Sequence, residues 1–478
     1  MKWIKVLGLL MVLAVGQRAQ AQNEATVTWT TTRQTIEGFG ASDYQGSQTF
    51  LTTAQKNFLF STNGIGLSIL RIGSTEDGSC TSINASCAYN QSNTWGWSGS
   101  NMSDAQFCVA NGCRVYVSSF TPPAIWKTNY NPSNQYGANA CKFGTGNGAL
   151  ATSHYADFAT YLSNFIASMQ QYNSVSVYAI SPQNEPDTCV SYSSALWTGA
   201  QLDTFVRTNL GPTLAANGQG SVKIIMPESN GWYDFTTYAD PCMNDSACKA
   251  FVSGAAYHAY DPSQPTYSNP YSVPLWMTET SDAPSYGIET CPGYVWCPGI
   301  GDALTWAYNI HLNMVAGTAA WFWWNTQQSC SGNPWQCNSG LYGSDGTTIA
   351  TRAYAIGNWS KFVRPGWVRI DATANPQTDV YVTSFKNAST GAFAIVALNQ
   401  NKSDTVQTFS LSGFTATSIT PYITSNSLTL EEQSTVTAGS SFSYTLPAQS
   451  ISTFVGTTNG SSTGTSVAPP TNLTLVIH

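Results

Sequence analysis

The sequence predicts an α/β fold, a (β/α)8 TIM barrel carrying a side antiparallel β-sandwich domain, on three observations. Between residues 35 and 365, eight apolar or β-rich segments alternate with amphipathic stretches, and eight parallel strands with intervening helices is the number that closes such a barrel. After Pro365 the texture changes to short alternating runs separated by turn residues, the pattern of an antiparallel sandwich. The rival α/β arrangement, a doubly wound sheet, normally carries a Gly-rich phosphate loop after its first strand. Here Gly38-Phe39-Gly40-Ala41-Ser42 does not continue as G-x-G-x-x-G.

Taken in order, residues 1–21 read as a secretory signal peptide. Lys2 and Lys5 precede an apolar core from Val6 to Val15, and Ala19-Gln20-Ala21 is a small-x-small cleavage site. No later apolar run reaches the roughly 18 residues a membrane span needs, so a secreted, extracellular protein with no membrane partner is expected. Residues 22–35 alternate and are expected to join the side β-domain as an N-terminal strand. The barrel, 36–365, draws its strands from 35–40, 66–74, 113–120, 175–181, 221–228, 254–260, 274–280 and 318–325. Its clearest helix spans 149–171, where Tyr155, Phe158, Leu162, Phe165, Ile166 and Met169 recur at helical spacing. Further helices are predicted at 52–61, 195–210, 303–315 and 352–362, and helical character is least clear between 251 and 274. Alternating runs from 379 to 455 place the sandwich at 366–456, and the Ser/Thr/Gly/Pro-rich 457–478 reads as a linker or tail.

Composition narrows the ligand. Charged residues make up 9% of the chain, far below the ~25% typical of globular proteins, whereas 16 Trp and 24 Tyr supply flat faces for a neutral, polar ligand. A net charge of −7 argues against a nucleic-acid partner, since phosphate binding needs a basic surface. Twelve cysteines in an exported chain favour disulfides. Close pairs are 80–87, 108–113, 242–248, 291–297 and 330–337, which leaves Cys141 and Cys189 for a longer link. Zinc is the competing reading of the cysteines, but there is no C-x-x-C pair and only four histidines. No metal or cofactor is expected, and the protein is expected to be a monomer.

Active sites of (β/α)8 enzymes sit at the C-terminal ends of the strands. The polar residues ending the predicted strands are therefore the candidates. In strand order they are Arg71, then Gln183, Asn184 and Glu185, then Glu228, His258 with Tyr260, Glu279, and finally Trp323 with Trp324. Two apolar runs end in a glutamate: residues 175–180 lead into Asn184-Glu185-Pro186, and Trp276-Met277-Thr278 leads into Glu279. Carboxylates from the fourth and seventh strands stand nearly opposite and can flank a glycosidic bond. One then protonates the leaving oxygen while the other attacks the anomeric carbon. Taken singly, each has a plainer reading, as a turn for Asn-Glu-Pro and as a surface acid for Glu279.

Several segments together resemble glycoside hydrolase family 30, and within it the bacterial xylanase group. They are Ile36-Glu37-Gly38-Phe39-Gly40-Ala41-Ser42, Phe120-Thr121-Pro122-Pro123-Ala124-Ile125-Trp126-Lys127, Ser181-Pro182-Gln183-Asn184-Glu185-Pro186-Asp187 and Trp276-Met277-Thr278-Glu279. Ser360-Lys361-Phe362-Val363-Arg364-Pro365-Gly366-Trp367 and Leu446-Pro447-Ala448-Gln449-Ser450 match as well, so coverage runs from about 25 to 456. The resemblance implies hydrolysis of a polysaccharide, xylan, with retention of configuration. Glu185 takes the acid/base role and Glu279 that of the nucleophile. Asn184 would bind the sugar hydroxyl beside the reacting carbon, and Tyr260 would orient Glu279. Arg71 would keep the nucleophile ionised. Trp126 and Trp324 would stack on sugar rings, with core packing as the alternative, and His258 and Trp323 complete the expected substrate-binding set. Glu228 matches a family glutamate that is not a catalyst.

One departure bears on the substrate. Glucuronoxylan-specific relatives carry an arginine after the eighth strand that grips a glucuronate branch. Here Trp323-Trp324-Asn325-Thr326-Gln327-Gln328-Ser329-Cys330 holds none, and the next arginine is Arg352. The expectation is an endo-β-1,4-xylanase not strictly dependent on glucuronate branches. A hydrolase of β-1,6-glucan or galactan, and a non-catalytic carbohydrate-binding protein, are the alternatives.

Overall fold

The computed structural model describes residues 23–43, 51–74, 78–87, 102–128, 148–188, 193–260, 269–282, 296–327 and 338–459. The expected signal peptide, most of the expected tail, and Cys141, Cys189, Cys291, Cys330 and Cys337 lie outside them. After a long first strand, β1 (Glu24–Thr35), eight strands close a parallel barrel. They are β2 (Gly38–Ser42), β3 (Ile69–Gly73), β4 (Arg114–Ser118), β5 (Val177–Ser181), β6 (Lys223–Ser229), β7 (Val252–His258), β8 (Leu275–Glu279) and β9 (Thr318–Trp324), with β9 pairing back onto β2.

Around it lie α1 (Thr53–Phe60), α2 (Met102–Ala110), α3 (Tyr155–Asn173), α4 (Gly199–Phe205), α5 (Gly211–Ala216), α6 (Trp232–Asn244), α7 (Ser246–Lys249), α8 (Ile300–Ala316) and α9 (Thr351–Ser360). Local chemistry sets several starts. Thr52 and Gln55 form a reciprocal capping box on α1, and Thr198 with Gln201 does the same for α4. A π-helical turn, Val206–Leu210, joins α4 to α5. Four helices beyond those predicted, α2, α5, α6 and α7, are present. Pro241 inside α6 is the kind of residue that argues against a helix in the sequence, yet it sits in the last turns, where the helix is ending anyway. Among the described residues no helix lies between β7 and β8.

The barrel interior is solid. Ile69, Tyr116, Ala179, Ile225, Ala256, Trp276, Ala320 and Phe322 pack as one cluster, with alanines set among the large rings. Gly40 belongs to the same economy, since a Cβ there would lie 2.5 Å from the Ile69 carbonyl oxygen and 2.6 Å from the Phe322 ring. At the opposite end from the candidate site, Glu37 is bridged by Arg114 at 3.0 Å and by Lys223 at 2.6 Å, closing the floor.

The side domain is one hydrogen-bonded sheet. Its strands are β10 (Val368–Ala372), β11 (Val380–Lys386), β12 (Ala392–Asn399), β13 (Thr405–Ser412), β14 (Ala416–Thr424), β15 (Thr429–Glu432), β16 (Val436–Thr437), β17 (Ser441–Leu446) and β18 (Ser450–Thr458). Its order is β15-β14-β18-β12-β11-β10-β1-β13-β17, with β16 on β14. β1 lies antiparallel to β10 and parallel to β13, so the first strand of the chain ties the sheet together. The main core runs without a break from the barrel helices to Phe385, Val396, Leu398 and Ile451. Trp359 Nε1 donates to Thr383 Oγ1 at 3.2 Å, and Thr453 Oγ1 donates to the Asn358 carbonyl at 2.8 Å. A shared core of this kind holds the two units together as one body.

Disulfides join Cys80 to Cys87 and Cys242 to Cys248. Cys297 is also disulfide-bonded. The expected 108–113 bridge is not formed. Both cysteines are buried free thiols, and Cys108 Sγ contacts the Arg114 carbonyl at 3.5 Å, bonded into the turn between α2 and β4 instead.

Candidate active site

The C-terminal ends of β3 to β8 deliver a cluster of charged side chains to one pocket. Two of them sit on left-handed backbone: Glu185 has φ 45° and Glu228 has φ 65°. Such a conformation costs a non-glycine residue on the order of 1–3 kcal/mol and persists only where surrounding bonds enforce it. Here Asn184 N–H donates to the Ser119 carbonyl at 2.6 Å, and Glu185 N–H to the Glu228 carbonyl at 3.0 Å. The strand ends are thus turned inward.

Arg71 on β3 is the hub. It is completely buried, and its guanidinium donates to Glu279 Oε2 at 2.5 Å, Asn184 Oδ1 at 2.6 Å and Glu228 Oε1 at 3.1 Å. Ser42 and Ser118 hydroxyls accept from it at 3.2 Å each. Tyr260 O–H donates to Glu279 Oε1 at 3.0 Å, so both oxygens of that carboxylate are held. Burial lifts the Glu279 carboxyl above its ordinary value, and His258 and Arg71 oppose that rise. For Glu228 the balance falls the other way. Burial alone would raise it, but Arg71, His258 and the Ser118 hydroxyl, 2.6 Å away, bring it down to about 2.

His258 lies among three carboxylates. Its Nδ1 is 3.0 Å from Glu185 Oε1 and 3.9 Å from Glu279 Oε1, and its Nε2 is 3.6 Å from Glu228 Oε1. Burial would lower the imidazole, yet Glu279, Glu185 and Glu228 together raise it to about 10, which makes it a cation at neutral pH. Asn230 Nδ2 donates to the same Glu185 oxygen at 2.7 Å. One atom each from Glu185, His258 and Glu279 lies within 4.8 Å of the others, a spacing that could hold a metal ion. A cation there would have to displace the Nδ1 proton and share Glu279 with Arg71. The cluster is therefore read as a hydrogen-bonded ion network.

Comparison with known proteins gives the family. The glycosyl hydrolase family 30 TIM-barrel domain matches residues 86–338, and the family's β-sandwich domain matches 366–454. Glucuronoxylanase XynC of Bacillus subtilis (strain 168) is 31% identical over 447 residues, which span 91% of this chain and 92% of the relative. The chain belongs to glycosyl hydrolase family 30. Among family 30 structures, the subfamily 8 xylanase Xyn30A of Clostridium acetobutylicum superposes with a TM-score of 0.75 at 30% identity, covering 91% of this chain and all of that one. An endo-β1,6-glucanase at 21% identity and a TM-score of 0.68 shares the fold.

Within this family 30 site, the residues expected from sequence divide into two groups. Glu185, Glu279, Asn184 and Tyr260 converge on the pocket. Trp324, 9% exposed, stands 6.5 Å from the Phe120 ring. Arg71, His258 and Trp323, the other residues expected there, are all fully buried. The first two act from beneath, on the carboxylates, and Trp323 packs on Trp306 while its Nε1 donates to the Ser339 carbonyl at 2.6 Å. Trp126 is half-buried, with His154 stacked at 5.9 Å and the Tyr161 edge at 5.6 Å. The 3-10 turn Ala124–Trp126 directs Trp126 onto that layer and leaves Ile125 68% exposed in its place. Arg352 is no free cation either, since it is completely buried against Asp302 at 2.8 Å. Sequence reasoning did not single out Asn230. Its place just past the end of β6, beside the candidate Glu228, was the available signal.

Proposed function

We propose that the protein is a secreted, monomeric endo-β-1,4-xylanase that cleaves by double displacement, with Glu279 as nucleophile and Glu185 as acid/base. The observation that carries this reading is the approach of a Glu185 oxygen to within 4.8 Å of a Glu279 oxygen. Retaining enzymes hold the two carboxyls ~5–5.5 Å apart, whereas inverting ones need ~6.5–9.5 Å to admit a water. The holding of both Glu279 oxygens suits a nucleophile that must attack along one line. Asn184 Oδ1 accepts from Arg71, so its NH2 is the end suited to a sugar hydroxyl. NMR of the first product should show the β-anomer, and an α-anomer would overturn the mechanism.

The xylanase relatives support xylan as the substrate. Branch preference is where this chain should differ from a glucuronoxylanase. With no arginine or lysine from Trp323 to Thr351 and Arg352 sequestered by Asp302, an anionic branch has no bidentate partner after β9. Hydrolysis of glucuronoxylan and of unsubstituted xylooligosaccharides should differ in rate by less than about threefold. A preference for glucuronoxylan of a hundredfold or so would sink this reading of the loop.

A further inference from the structure

Glu185 is followed two residues later by a second carboxylate that no part of the chemistry above employs. Asp187 accepts the backbone N–H of Asn230 on both oxygens, at 3.0 Å on Oδ1 and 3.1 Å on Oδ2. Asn230 is 2% exposed, and its side-chain amide reaches Glu185 Oε1 at 2.7 Å. Asp187 therefore grips the backbone of the residue whose side chain grips the acid/base. His258 Nδ1 approaches that same oxygen at 3.0 Å. An oxygen that receives two N–H donors is the one that stays unprotonated, so the carboxyl proton is directed to Oε2.

We propose that Asp187 is a positioning residue for the acid/base Glu185, acting through Asn230 to fix which oxygen carries the proton and, through its own negative charge, to keep that proton bound. This rests on the assignment of Glu185 as acid/base. The groups facing Asp187 are Glu185 ahead of it, His258 from β7 and Tyr238 from α6. Burial raises the Asp187 carboxyl to about 7; the Asn230 backbone N–H opposes that rise, and Glu185 adds to it when ionised. The electrostatic coupling is mutual: Asp187, when ionised, makes loss of the Glu185 proton harder. The effect on catalysis falls on the step that needs an acid, departure of the leaving group.

Leaving-group dependence separates this from a packing role. Asp187→Asn keeps the shape and removes the charge, and Asn230→Ala removes the link. Both should lower kcat/KM on aryl xylobiosides with poor leaving groups by about tenfold, within the range of general acid catalysis. On a dinitrophenyl xylobioside, whose leaving group needs no proton, kcat/KM should fall by less than about threefold. In Asp187→Asn the alkaline limb of kcat/KM should also move to lower pH, because Glu185 has lost a neighbouring negative charge. Equal losses on both substrates with an unmoved limb would overturn the proposal. Glu185→Ala serves as the control. If that variant also lost activity equally on both substrates, the acid/base assignment itself would fail, which is a distinguishable outcome.

Discussion

Glu279→Gln should abolish turnover of every β-xylan, by at least about 10⁴-fold, or roughly 5.5 kcal/mol of transition-state stabilisation. The argument is chemical before it is structural. An amide oxygen is too weak a nucleophile to form the glycosyl ester, and the amide NH2 would face either the Arg71 guanidinium or the Tyr260 hydroxyl. Arg71 donates to Oε2 at 2.5 Å and Tyr260 to Oε1 at 3.0 Å. The variant should fold, because the isostere keeps one good acceptor. A fluorinated xyloside that traps the ester intermediate should label Glu279 in the wild type and nothing in the variant. Labelling at another carboxylate would move the nucleophile elsewhere.

Arg71 is the second position where a large effect is expected. Removing the charge with Arg71→Met leaves Glu228 and Glu279 buried without their shared cation, and breaking a buried ion pair in this way costs about 3–5 kcal/mol. The denaturant midpoint should fall accordingly. The acid limb of kcat/KM should rise, since Glu279 loses a cation that opposes its protonation. Arg71→Lys tests the geometry apart from the charge. An ammonium cannot reproduce a planar fork that reaches Ser42, Ser118, Asn184, Glu228 and Glu279 together. That variant should fold and still lose about a hundredfold or more in kcat/KM. Wild-type activity in Arg71→Lys would mean the hub is dispensable.

The two glutamates were legible in the sequence because apolar strands lead into them, and strand number in a closed barrel sets position. Tyr260 and Asn184 were legible for the same reason. The direction of a side chain in a short turn was not. Trp126 and Ile125 are adjacent, and only the folded 3-10 turn decides which one faces solvent. Burial depth was hidden too: Arg71 and His258 lie on barrel strands as expected, but both are fully buried. The Asp187–Asn230 contact joins residues 43 apart in sequence through a backbone N–H, which no pattern of side chains announces.

The imidazolium at His258 has a further consequence for a double displacement. In the form that the proposed mechanism requires, with Glu185 protonated as the acid, the two cations Arg71 and His258 face the two anions Glu228 and Glu279. When the glycosyl ester forms, Glu279 gives up its charge to the new bond in the same step that Glu185 gives up its proton. One anion vanishes as another appears a few ångströms away, and the two fixed cations balance the set equally well before and after. A pocket of this kind carries the reaction as a transfer of charge across its width, with no net charge entering or leaving the low-dielectric interior. Electrostatic strain that would otherwise build up in the intermediate has no source.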